Sequence, residues 1–188
     1  KKPEEMEKQR ARFVSGALAN GVEQRRAEAL FEMIEKFAGY AFPKAHSTAY
    51  ALITYQTAYL KANHPREFLA ALLTMESGNH DKLGPYIQHA RDRGIDVLAP
   101  ELNSSERDFA VVPEGIRFGF SGVKNVGEAA IEAILETRRA GGPFESLYDF
   151  TGRIDAKRVN RRVIESLIRA GAFDFSKATR ASLFAAVP

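Results

Sequence analysis

The chain has 188 residues, 45% apolar and 27% charged, with a net charge of +3 and no cysteine. It can bury a core in one domain or two small ones, and the lack of cysteine excludes disulfides and thiolate-held metal. No apolar run approaches the ~20 residues of a membrane-spanning helix. Lys1-Lys2-Pro3-Glu4-Glu5 carries no signal-peptide core, so a cytoplasmic chain with no membrane partner is expected.

The pattern is mostly helical. Pro3 followed by Glu4 and Glu5 reads as a helix start, with acids at the positive end of the dipole. Asn20-Gly21 is a turn. Ala27, Leu30, Phe31, Ile34 and Phe37 then follow helical spacing, and Gly39 is a stop. Next comes the run Tyr40-Ala41-Phe42-Pro43-Lys44-Ala45-His46-Ser47-Thr48-Ala49-Tyr50. Lys44, His46 and Ser47 sit where a loop enters a long apolar helix, a place suited to holding an anion. From Ser47 to Ala62 apolar residues occur nearly all round, which predicts a central helix buried on most sides. Pro65 restarts the chain, Phe68, Leu69, Leu72 and Leu73 form the next stripe, and a further helix is expected from Asp81 to Arg93, ending at Gly94.

Between Ile95 and Phe120 the character changes. Ile95, Val97, Val111, Val112, Ile116 and Phe118 are β-formers, and Pro113-Glu114-Gly115 is a turn. A small β-hairpin or pair of strands is expected to join two helical parts. Short helices resume, broken at Gly141-Gly142-Pro143 and at Gly171, with Ser146 as an N-cap for a short helix through Phe150. The expected fold is therefore mainly α with a short β-hairpin linker. It divides into a helical part at 1–94, a β-containing connector at 95–120 and a second helical part at 121–188.

Two segments suit a polyanion. Val123-Lys124-Asn125-Val126-Gly127-Glu128 precedes the helical run carrying Ile131, Ile134 and Leu135. A tight glycine turn lets backbone N–H groups face a phosphate, the helix adds its positive end, and Lys124 adds a mobile charge. A grip through the backbone cannot read bases, so binding would be indifferent to sequence. This segment resembles the helix-hairpin-helix motif, with Asn125 standing where that motif has its first glycine; a plain helix-to-helix turn is the alternative. The second segment carries Lys157, Arg158, Arg161 and Arg162, with Arg169 further on. Thr151 to Pro188 holds eight Lys or Arg against Asp155, Glu165 and Asp174, a balance of +5. Such a cluster fits either nucleic acid or a solvated helix face. Here Val163, Leu167 and Ala170 are expected inward, with Phe173 after Gly171 closing the turn. His64, His80 and His89 lack metal-ligand spacing, and no nucleophile elbow or P-loop is readable. Neither a metal site nor a catalytic residue is expected in this chain.

Taken together, the segments Phe42 to Ala62, Pro65 to Leu73, Ile116 to Ile131 and Asn160 to Asp174 resemble, in order, the bacterial DNA polymerase III α subunits, the C-family replicative polymerases. The resemblance implies a helical fingers subdomain followed by a tandem helix-hairpin-helix module. It implies a DNA-directed DNA polymerase in the intact parent, whose palm, with its metal-binding aspartates and Mg²⁺, lies elsewhere, so this stretch alone is inactive and needs no cofactor. Lys44, His46, Ser47 and Tyr50 would lie beside the incoming dNTP. Lys124, Asn125, Val126 and Gly127, with Lys157, Arg158, Arg161 and Arg162, would touch the backbone of the template-primer duplex. The other holoenzyme subunits, including the sliding clamp, would be partners of the parent. A freestanding, non-catalytic helix-hairpin-helix scaffold for DNA is the alternative, and a helical protein-interaction module a third reading.

Overall fold

The computed structural model describes residues 3–39 and 43–187. Tyr40, Ala41 and Phe42, part of the anion-suited run, lie outside the described residues. The chain divides into two compact units between Tyr55 and Gln56.

In the first unit, α1 (Pro3–Ala19) and α2 (Gln24–Gly39) are joined by the expected turn at Asn20-Gly21. Asn20 Nδ2 donates to the Gly16 carbonyl at 2.8 Å, and the Val22 amide to the Ala17 carbonyl at 3.0 Å. The helices meet at Phe13 and Phe31, ring centroids 5.6 Å apart. Arg10 lies 5.5 Å from the Phe31 ring and donates to Glu35 at 3.0 Å. Ala27 and Phe31 are buried, whereas Leu30, Met33, Ile34 and Phe37 stay exposed.

Helix α3 (Lys44–Asn63) carries the chain across the boundary and has no buried residue. The expectation of a central helix buried on most sides is therefore corrected. Tyr50, Leu52, Ile53, Tyr55, Tyr59 and Leu60 are all exposed. Periodicity reports how much apolar surface a helix carries; it does not report whether the described residues supply its cover.

The second unit holds α4 (Pro65–Met75), α5 (His80–Arg91), and strands β1 (Val97–Leu98), β2 (Ala110–Val112) and β3 (Gly115–Arg117). The expected hairpin is β2–β3, with Val111 opposite Ile116. A third strand, β1, adds to β3 in parallel, giving the order β1-β3-β2. Leu69, Ala70 and Leu73 of α4, Leu83 and Ala90 of α5, and Ile95, Phe109 and Ile116 form one core. Thr74 Oγ1 accepts from the Phe109 amide at 3.1 Å.

Helices α6 (Glu128–Gly141), α7 (Leu147–Arg153), α8 (Arg161–Ala170) and α9 (Arg180–Ala185) enclose a second, larger core. At its centre Phe150 meets Phe144 at 5.0 Å and Phe173 at 5.3 Å, both edge-on. Phe118 packs against both cores. Ser146 caps α7 as expected, its hydroxyl accepting from the Asp149 amide at 3.0 Å; Asn160 caps α8 at 3.1 Å from the Val163 amide. Gly171 ends α8 with a φ of 93°, and the Ala172 amide returns to the Leu167 carbonyl at 2.9 Å. That geometry favours glycine.

Two arginines hold loops to this core. Arg138 donates to the Leu102 and Ser105 carbonyls at 3.0 and 2.7 Å and pairs with Glu106. Arg153 reaches the Thr137, Gly142 and Pro143 carbonyls at 3.2, 2.9 and 3.1 Å, and Asp149 at 3.0 Å. It also covers the Phe144 ring at 4.5 Å. Replacing Arg153 by Met keeps the stem and strands these carbonyls. The expected loss is about 3 kcal/mol, since hydrogen bonds to charged groups contribute ~1.5–3 kcal/mol and partners left unpaired add to it. Chemical denaturation of the variant checks this.

Two carboxylates link the same fold to pH. The Glu145 amide, and then Arg153, holds the Asp149 carboxyl below its usual range. The Arg180 guanidinium, bonded at 2.9 and 2.5 Å, does the same for Asp174. A carboxyl lowered on folding stabilises the native state above its unfolded pKa of about 3.9, and that stabilisation disappears as pH falls through the folded value. The melting temperature should therefore fall on acidification below that range. In the Asp149→Asn/Asp174→Asn double variant the acid-side decline should be shallower, as read by melting curves across pH.

Candidate nucleic-acid interface

A single turn of 3-10 helix, Phe120–Gly122, leads into the Val123–Gly127 turn, so the helix before the hairpin is three residues long. Val123 and Val126 are both buried and anchor the turn from below. The Val126 amide is used within the turn, donating to the Val123 carbonyl at 3.2 Å. Val126 therefore shapes the turn, and its side chain does not face solvent. Lys124, Asn125 and Gly127 are exposed above it. Asn125 takes a φ of 67°, the left-handed conformation that a glycine would otherwise supply and that asparagine tolerates better than most residues.

Gly127 is the N-cap of α6, with φ −85° and ψ 168°, an ordinary extended conformation. No atom lies within 4 Å of the position a Cβ would occupy. The missing side chain thus relieves no strain; it leaves the start of α6 open. The first amides of a helix have no intrahelical partner, and Gly127 offers no side-chain cap for them.

The second segment is built differently. Asp155 Oδ1 accepts from the Lys157 amide at 2.9 Å, and Val159 is buried beneath the loop. Arg158 is turned back onto α6, 3.0 Å from Glu132 and 2.6 Å from Glu136. The Glu136 hydrogen bond leads in holding its guanidinium in the charged form. Arg158 braces the loop against α6 with its charge already met. Arg161 is 3.0 Å from Glu165 yet remains mostly exposed. Among the described residues, Lys124, Lys157 and Arg162 are exposed and form no ion pair.

The two segments are tied together. Asn125 Nδ2 donates to Ser166 Oγ of α8 at 3.1 Å. Around this link Lys124, Arg161, Arg162, Glu165 and Arg169 border a cavity of about 610 Å³. Ser166 carried no sequence signal beyond its place one turn after Arg162 on the polar face of α8.

Lys44, His46, Ser47 and Tyr50 belong to the first two turns of α3, and Lys44 opens the helix instead of preceding it. All four are exposed. The His46 and Tyr50 rings stand 4.2 Å apart, and the Ser47 amide donates to the Pro43 carbonyl at 3.1 Å. Their i, i+3 and i, i+4 spacings put them at one end of one helix.

The glycines yield a contrast. Gly127→Ala should leave stability within about 0.5 kcal/mol, because its site is open and its φ ordinary. Gly171→Ala should cost about 1–2 kcal/mol, because its φ is left-handed. Only the first should weaken DNA binding; denaturation and a filter-binding titration of both variants separate the two effects.

Comparison with known proteins places this arrangement. Residues 94–183 match the helix-hairpin-helix motif family. The DNA polymerase III subunit alpha of Thermus aquaticus is 55% identical over 93% of the chain, which covers 14% of that protein. The Vibrio cholerae subunit is 50% identical over 100% of the chain and 16% of its own length. The Escherichia coli K12 subunit is 47% identical over 97% of the chain and 16% of its own length. The chain spans about a seventh of the length of the curated relatives it matches. From end to end the chain is similar to one stretch of DNA polymerase III α subunits, and residues 94–183 within it match a helix-hairpin-helix motif.

Proposed function

We propose that this chain is the DNA-contacting stretch of a replicative DNA-directed DNA polymerase, gripping the duplex through its backbone without regard to sequence. One observation carries the reading. The Asn125 turn opens directly onto the uncapped start of α6, with the unpaired cations Lys124, Lys157 and Arg162 exposed on the same two segments. Backbone amides and a helix N-terminus take phosphate oxygens, and mobile cations add long-range attraction. None of these groups reads a base edge. The relatives' naming as DNA polymerase III α supports the polymerase context.

In that context the exposed end of α3 is assigned to the incoming dNTP. Lys44 would act as a point charge on phosphate, Ser47 would donate to a phosphate oxygen, and His46 and Tyr50 would pack beside the nucleotide. Among the described residues no group of three His, Asp or Glu side chains is placed to hold a metal ion. No catalytic step is assigned to the residues of this stretch. Holoenzyme subunits and the sliding clamp are proposed as partners of the longer polymerase.

Two outcomes test this. Duplex binding by the chain should weaken steeply with salt, and Lys124→Ala and Arg162→Ala should each lower the salt slope by about one. Arg158→Ala should leave the slope unchanged, because its charge is already met by Glu132 and Glu136. Binding equally strong at low and high salt would contradict the phosphate grip. In the full polymerase, Lys44→Ala should raise the dNTP concentration needed for half-maximal rate by roughly tenfold or more. The chain's own melting temperature should hardly move. Steady-state kinetics beside a melting curve would expose the opposite pattern if Lys44 is structural.

A further inference from the structure

The cavity beside the hairpin does not stand alone. A second cavity of about 520 Å³ adjoins it, bordered by Ile87, Val97, Pro100 and Phe118, with Arg91 also on its lining. Lys124, Asn125, Ser166 and Arg169 line both. The Asn125–Ser166 hydrogen bond therefore stands on their shared border. Their chemistry differs. The first is ringed by Lys124, Arg161, Arg162 and Arg169 against one acid, Glu165, which is already paired with Arg161. The second is walled largely by aliphatic and aromatic carbon from α5, β1 and the segment after β3. Each is within the size range of small-molecule sites.

A phosphate cradle joined to an apolar slot has the chemistry of a single nucleotide. A base pair's two bases face each other and cannot enter such a slot; an unpaired base can, offering its face to apolar carbon and to a guanidinium. We propose that the two cavities form one site for an unpaired nucleotide. Its phosphate lies among Lys124, Arg162 and Arg169, and its base in the slot lined by Ile87, Val97, Pro100 and Phe118 beside Arg91. The phosphate half rests on the DNA-contacting reading above; the slot does not. The ligand class is a nucleoside phosphate, supplied either by an unpaired strand near a duplex end or by a free nucleotide. The site would let a grip that ignores sequence distinguish single from double strand.

Ala99 lines the slot, is exposed, and uses only its carbonyl in the fold, accepting from Arg117 at 3.1 Å. Ala99→Trp therefore fills the slot and removes no cation. The test is fluorescence anisotropy of the 188-residue chain with a short labelled oligothymidylate and with a short blunt duplex. Circular dichroism confirms folding, and Arg91→Ala serves as a second, exposed variant. The proposal expects Ala99→Trp to weaken oligothymidylate binding by roughly tenfold, with duplex binding within about twofold of the parent. Arg91→Ala should weaken the single strand in the same direction, and Lys124→Ala should weaken both ligands. Displacement of the oligothymidylate by dTMP, with inorganic phosphate ineffective, supports the site and names a free nucleotide as an occupant. Displacement by unlabelled oligonucleotide alone supports it and names a strand. Unchanged single-strand binding in both folded slot variants overturns it, as does displacement by phosphate equal to that by dTMP. If duplex binding is absent throughout while the single strand still responds to Ala99→Trp, the DNA-duplex reading fails and the slot stands.

Discussion

The second unit depends on the edge-on stack of Phe144, Phe150 and Phe173. Each ring comes from a different place: the loop before α7, α7 itself, and the turn after α8. Burying the three together fixes where α7 and the end of α8 lie, and α6 packs into the same core through Ile131 and Ile134. Full burial of one such side chain contributes about 1.5–3 kcal/mol, and aromatic pairs add about 0.5–1.5 kcal/mol. Helices α6 to α9, of six to fourteen residues, have little stability of their own and rely on this packing. The hairpin inherits its position from the core through the buried Val123 and Val126.

On that frame the basic residues divide by what they already hold. Arg138 and Arg153 are spent on loop carbonyls, Arg180 on Asp174, and Arg158 on two glutamates of α6. Lys124, Arg161 and Arg162 stay exposed and border one cavity beside the Asn125 turn. The +5 of the last segment is thus not a uniform basic surface: Arg153, Arg158 and Arg180 are engaged within the fold, whereas Lys157 and Arg162 are exposed without an ion pair. Desolvating a committed arginine to meet DNA would break bonds already made, so the exposed and unpaired cations are the ones available to phosphate.

Much of this was legible in the sequence because it was local. The Asn125-Val126-Gly127 turn, the Ser146 cap, the Gly171 stop with Phe173 behind it, and the β2–β3 hairpin each follow from residues within a few positions of one another. The misses are long-range. Strand β1 pairs with β3 across nearly twenty residues and has only two residues to announce itself. The pairing of Arg158 with Glu136 and Glu132, 22 and 26 positions away, has no local signal. The exposure of α3 could not be read from periodicity, which records apolar surface and not its cover. Gly127 has an ordinary backbone, and its value lies in the space it leaves.

The central claim is that the Asn125–α6 junction and the start of α8 meet phosphate without reading sequence. Backbone amide NMR of the chain, titrated with two short duplexes of unrelated sequence, tests it most directly. The account predicts that the largest shifts fall on residues 124–129 and 160–166 and that the two duplexes give the same pattern. Shifts centred elsewhere, or a pattern that changes with the duplex sequence, would contradict it.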